Sequence, residues 1–279
     1  MIATATRMGL VALTVSDLDR TVDYWTNAIG LDVIERGADQ ASLGSGDRVL
    51  VSFREVPGAQ PAPRSTGLFH VALLVPERED LARWLAHAIR DRVALAGASD
   101  HYVSEALYLR DPDHHGIEIY ADRPRERWEG HVDRMTTDPL DVEGLLGVLD
   151  DPAAPDTERL PGGTIVGHTH LQVASIPDTL AFYRDLLGFE EMITFGSQAT
   201  FLSAGGYHHH VGGNTWNSLG AGPPPEGAAA LERATIVLPD AAERDRLVTT
   251  VANAGQEPEL RPDGVQIRDP SGNALVLSV

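Results

Sequence analysis

The chain has 279 residues, 42% hydrophobic and 23% charged, a length that suits two domains of about 100–150 residues each. Its 22 Lys plus Arg against 41 Asp plus Glu give a formal net charge of −19, which repels phosphate backbones and anionic lipid and makes nucleic acid and membranes poor partners. There is no cysteine, so disulfides, zinc–thiolate sites, iron–sulfur clusters and thiol nucleophiles are excluded, and the chemistry must rest on His, carboxylate, Tyr or a bound ion.

From the N-terminus, the segment MIATATRMGL lacks a signal-peptide layout and no apolar run nears the roughly 18 residues of a spanning helix, so a cytoplasmic protein is expected. Val11, Leu13 and Val15 alternate as a strand. Asp17 reads as a helix N-cap, Leu18, Val22, Trp25 and Ile29 form one apolar helical face, and Gly30 suits the stop. A second unit starts at His70 with HVALLVPEREDLARWLAHAI and ends in LRDPDHHGIEIY, an Arg-Asp-Pro turn leading into an apolar strand. A polar, proline-punctuated connector follows, with a short helical stretch around Val142–Val148.

The third unit repeats the first: Val173 aligns with Val15, Tyr183 with Trp25, Leu187 with Ile29 and Gly188 with Gly30. The fourth repeats the second, with Pro239 on Pro76 and IRDPSGNALVLS closing it. Four strand–helix–strands units therefore lie near 8–56, 67–122, 164–216 and 230–279. The expected organisation is α+β: an N-terminal pair of units over 1–122, a connector over 123–163 and a C-terminal pair over 164–279. Each unit has one apolar sheet face that cannot be buried alone, so units pair and their mixed sheets curl around a shared cleft, where a ligand belongs.

Eleven histidines cluster in a few places. His70 opens the first strand of unit two and His168 stands at the corresponding place in unit three, while Glu118 interrupts the apolar run GIEIY. A carboxylate there is costly unless paired or metal-bound, and Ile117 and Ile119 face away from it. At equivalent positions unit one has Leu10, and unit four has Arg233 and Val276. The split predicts one metal site, in units two and three, and one degenerate site. Two imidazoles with one carboxylate make a facial triad that leaves three coordination positions open, which suits Fe(II) and an anionic chelating substrate. Mn(II) binds the same ligands. Tyr108, ten residues before Glu118, and His101 are candidates to face the cleft. In the run His208–His210 a strand would turn His209 one way and its neighbours the other, and a histidine is a natural proton shuttle.

These residues resemble the vicinal oxygen chelate superfamily of βαβββ modules, and more narrowly the two-domain catechol 2,3-dioxygenase-like proteins of bacteria. The resemblance is carried by TGLFHVALLVPEREDLARWL, SDHYVSEALYLRDPDHHGIEIYADRPRERW, GHTHLQV and SAGGYHHHVGGNTW. It implies the glyoxalase/extradiol dioxygenase fold and Fe(II) held by His70, Glu118 and His168. It further implies His209 as the acid–base histidine, Tyr108 as the extradiol tyrosine, and His101, at a different spacing, as a loose match to a nearby histidine. The implied activity is dioxygen-dependent extradiol cleavage of a small aromatic diol to a ring-opened semialdehyde, in a homo-oligomer. Because the module with His and Glu comes first here, the triad requires unit two to pair with three and one with four. DPDHH, where the family has DPDGN, is expected to alter a turn and not the chemistry. Two other readings are weighed: a glyoxalase-type isomerase or lyase, which needs a fourth protein ligand, and a non-catalytic small-molecule-binding protein of the resistance type, which lacks a metal triad.

Overall fold

The structure, a computed structural model, describes residues 1–151 and 159–279, so residues 152–158 of the expected connector lie outside the described residues. Four βαβββ modules follow one another. The first comprises β1 (Arg7–Val15), α1 (Leu18–Tyr24), β2 (Asp32–Arg36), β3 (Gln40–Ser45) and β4 (Arg48–Glu55). The second comprises β5 (Gly67–Leu74), α2 (Arg78–Asp91), β6 (Gly97–Asp100), β7 (Ser104–Arg110) and β8 (Gly116–Asp122). Between modules two and three lie the two-residue strand β9 (Asp138–Pro139) and α3 (Val142–Leu146). The third has β10 (Ile165–Gln172), α4 (Ile176–Leu180), β11 (Glu190–Phe195), β12 (Ala199–Ser203) and β13 (Val211–Asn214). The fourth has β14 (Leu231–Val237), α5 (Ala241–Asn253), β15 (Glu259–Arg261), β16 (Gly264–Arg268) and β17 (Ala274–Ser278).

In every module the first strand lies parallel to the last, as in β5 with β8 and β14 with β17. The first strands also join the modules. β1 pairs antiparallel with β14, closing an eight-stranded sheet, and β5 pairs antiparallel with β10, closing a nine-stranded one. Module two therefore pairs with three and module one with four, the arrangement the histidine and carboxylate positions required. Strand β9 adds an edge to the nine-stranded sheet, so the segment between the halves is built into it.

One continuous core runs between sheets and helices, including Leu13, Trp25, Val71, Ile117, Ile119, Leu171 and Leu275. The cap and stop read from sequence hold: the Asp17 side chain accepts the Arg20 N–H, and Gly30 ends the segment in the left-handed region. The last turn is not α-helical, however. It widens to a π-turn over Trp25–Ile29, and module three does the same over Ala181–Leu186. Each π-turn carries an aromatic side chain that donates to the aspartate of an Arg-Asp-Pro turn, Trp25 Nε1 to Asp111 at 3.3 Å and Tyr183 OH to Asp269 at 3.2 Å. These bonds tie each helix in one sheet layer to a turn in the other.

The two turns share one scaffold. Asp111 accepts the N–H groups of Asp113 and His115, and Asp269 those of Ser271 and Asn273. His114 sits at φ 66° where Gly272 sits at φ 85°, so a histidine takes the left-handed position that glycine fills more cheaply. The DPDHH variation thus leaves the turn in place.

Candidate metal centre

The seam between β5 and β10 sets the site. His70 lies opposite His170 and Ala72 opposite His168, while Glu118 of β8 is level with Ala72 and Tyr108 of β7 lies opposite Glu118. Because strand side chains alternate, these residues share one face while Val71, Leu73, Ile117 and Ile119 turn into the core.

Glu118 Oε2 lies 2.9 Å from His70 Nε2 and 3.2 Å from His168 Nε2, and the two Nε2 atoms are 3.2 Å apart. One donor atom from each residue falls within 4.8 Å of the others, a group able to hold a metal ion. All three are buried, at 6%, 3% and 2% exposure for His70, Glu118 and His168. Burial alone would raise the Glu118 pKa, but His168 and then His70 outweigh it and hold the carboxyl well below its usual range. Burial lowers His168 to about 4 against the opposing pull of Glu118. An anionic carboxylate beside a neutral imidazole is the state in which both donate to a cation.

The centre opens into a cavity of about 650 Å³. Its polar wall includes Ser99, His101, Tyr108, Arg110 and Thr136, and its aromatic wall Phe69, Phe195, Phe201 and Trp216. His101 reaches Tyr108 despite its sequence spacing. Its Nδ1–H donates to the Thr136 carbonyl at 2.6 Å, which leaves Nε2 to accept the Tyr108 hydroxyl at 2.5 Å. Burial, and then the charge of Glu118, raise the Tyr108 pKa well above 10, so the phenol stays protonated.

The triple histidine is not a strand. β13 starts at Val211, and His208–His210 form a bent approach in which all three rings are buried. The expected parting of His209 from its neighbours holds even so: His208 and His210 both lie against the Tyr207 ring, while His209 faces the cavity. His208 turns to Asp122, and His210 Nδ1 accepts the Ala204 N–H and lies 3.2 Å from Ser203 Oγ. His209 lines the cavity, its ring 4.0 Å from that of His168. Burial, with neighbouring imidazoles adding to it, pushes the His209 pKa well below 6.5.

One cavity residue escaped the sequence reading. His170, two residues past His168, is buried against His70, Phe69 and Phe201, and its Nε2 has no hydrogen-bond partner among the described residues. The signal was available in GHTHLQV, since a strand places residues 168 and 170 on one face. Gly212, opposite His170 on β13, occupies the place that Glu118 holds on β8. A Cβ there would lie 2.9 Å from the His170 ring, so His170 fills the space of any fourth ligand from this strand.

Comparison with known proteins places this arrangement. The profile of the Glyoxalase/Bleomycin resistance protein/Dioxygenase superfamily matches residues 7–119. A catechol-2,3-dioxygenase of Bacillus subtilis (strain 168) is 41% identical over 281 aligned positions, which cover 98% of this chain and 97% of that protein. The chain belongs to this superfamily, in its catechol 2,3-dioxygenase-like branch of enzymes. Glyoxalase I from Zea mays superposes with a TM-score of 0.60 at 16% identity, covering 98% of this chain and 92% of its own. A candidate dioxygenase from Bacillus subtilis gives 0.67 at 15% identity, covering 99% and 86%. These two likenesses concern the fold alone. No helix among the described residues is long and apolar enough to cross a membrane.

Proposed function

We propose that the protein is an Fe(II)-dependent dioxygenase that opens the ring of a catechol-type substrate beside its two hydroxyl carbons, giving a semialdehyde. The observation that carries this reading is the buried His70–Glu118–His168 group at the floor of a ligand-sized cavity, with the fourth position of the paired modules closed by Gly212 and His170. Three donors that converge on one point, two imidazole nitrogens and one carboxylate oxygen, fit a ferrous ion with three positions left for ligands. A four-ligand isomerase site does not fit Gly212, and a metal-free binding protein has no use for three buried ligating groups in contact.

Bound there, iron would supply a chelation point for the diol and an electron path to dioxygen. Both atoms of dioxygen enter the product, so no external reductant is needed. The rest falls to the chain. His209, packed against His168 and facing the cavity, takes a diol proton and returns it as the ring opens. Tyr108, held by His101, positions a substrate oxygen above Glu118. The aromatic wall of Phe69, Phe201 and Trp216 packs the ring and excludes water. Such an enzyme works in the cytoplasm.

The test is dioxygen uptake when catechol or a substituted catechol is added to protein loaded anaerobically with Fe(II). Rapid uptake with a yellow ring-opened product supports the reading. One bound metal without uptake for any diol overturns it. His209→Ala should keep the metal while turnover falls about 10²–10⁴-fold, the usual worth of a positioned acid–base group.

A further inference from the structure

A line of hydrogen bonds runs away from His209 through His208 to Asp122. His209 Nδ1 lies 2.8 Å from His208 Nδ1, and His208 Nε2 lies 2.9 Å from Asp122 Oδ1. Asp122 ends β8, the strand that carries Glu118, and its side chain is 26% exposed. His208 has no exposed surface. It is boxed by the rings of Tyr207 at 4.0 Å, Trp128 at 5.7 Å and Tyr120 at 6.1 Å, so its orientation is fixed by packing.

For a neutral His208 between an Asp122 carboxylate and His209, elementary counting fixes the proton positions along this line. A neutral imidazole carries one N–H and one lone pair, and an ionised carboxylate only accepts. His208 Nε2 must therefore hold the proton that Asp122 accepts, because two lone pairs at 2.9 Å would repel. That leaves His208 Nδ1 as an acceptor, so His209 Nδ1 must be the donor at 2.8 Å. His209 then has its lone pair on Nε2, the ring nitrogen that none of these bonds uses. We propose that Asp122 and His208 are positioning residues that fix the tautomer of His209, leaving Nε2 as a base for the diol proton in the cavity. The proposal rests on the reading of His209 as the proton-transfer group, and it assigns work to two residues that touch neither substrate nor metal ligands through a hydrogen bond.

The tautomers are read directly by two-bond ¹H–¹⁵N correlation spectra of the full chain labelled with ¹⁵N-histidine and loaded with diamagnetic Zn(II), with His208→Phe and His209→Gln used to assign signals. The expected wild-type result is a proton on Nε2 of His208 and on Nδ1 of His209. Asp122→Asn, whose amide donates as well as accepts, should reverse or mix both tautomers. It should also lower kcat about 10- to 10³-fold with KM for the diol within about twofold, because orientation and not binding is lost. Asp122→Glu should restore much of kcat. A wild-type His209 protonated on Nε2, or tautomers unmoved in Asp122→Asn, overturns the proposal, and the wild-type spectrum decides even where the variant fails to fold. If the spectra agree while no catechol consumes dioxygen, the tautomer relay stands and the dioxygenase reading falls.

Discussion

The two sheets are the same construction put to different uses. Each joins two βαβββ modules through antiparallel first strands, and each is anchored by an aspartate turn that receives an aromatic side chain from a π-turn. On the nine-stranded sheet, His70 faces His170, and Glu118 lies level with Ala72. At the matching points of the eight-stranded sheet Arg233 faces Ala12, and Val276 lies level with Thr235. Arg233 turns to Asp263 and Glu232, and Val276 is wholly buried. All eleven histidines fall outside the strands of the eight-stranded sheet. Backbone pairing is thus indifferent to what stands on one face, while the group able to hold a metal ion needs only three positions of that face.

Four experiments would break or sharpen this contrast. The largest effect is expected from Glu118→Ala, which should reduce bound metal from one equivalent to near none by elemental analysis, and with it dioxygen uptake. Val276→Ala at the sister position should cost roughly 0.5–3 kcal/mol of stability and leave metal content alone. Equal metal loss in both would mean that the two sheets are not divided as described.

A second test uses acid. Burial, with the nearby His208 and His168 imidazoles adding to it, lowers His210 to about 4, against 6.5 in an unfolded chain. Between those values the unfolded state binds the proton and the folded state does not, so the stability that His210 contributes is complete above pH 6.5 and is lost as the pH falls towards 4. The metal-free protein should therefore lose Tm by several degrees between pH 7 and 4.5 in calorimetry, and His210→Gln should have a shallower slope. An unchanged slope would remove His210 as a cause.

Gly212→Ala sharpens the comparison inside the nine-stranded sheet. A Cβ 2.9 Å from the His170 ring should destabilise by about 1–3 kcal/mol in urea titrations, and His170→Ala in the same chain should recover part of that. Additive losses would show that the ring does not occupy the fourth-ligand space. The smallest effect belongs to Arg233→Ala, whose partners are partly exposed. It should cost no more than about 1 kcal/mol and leave metal content unchanged.

Much of this molecule is written locally. The four modules, the Asp17 cap and the Gly30 stop could be read because caps and periodicity act within a few residues. The placement of Glu118 opposite its two apolar neighbours follows from strand alternation alone. The exchange of His70, His168 and Glu118 for Arg233, Leu10 and Val276 between repeats also marked which modules had to pair, since a triad needs its members in one place.

What the sequence could not determine is where bent backbone sends a side chain. Alternation singled out His209 in the run His208–His210, but not what each ring meets there: Asp122, the cavity and Ala204. The reach of His101 to Tyr108 depends on a turn closed by Thr136, which comes from the segment between modules two and three. The exclusion of a fourth ligand depends on His170 and Gly212 meeting across two strands 42 positions apart in the chain. Periodicity carries information along one element, whereas these contacts arise only when distant elements are brought against each other, and there the tertiary structure alone decided the site.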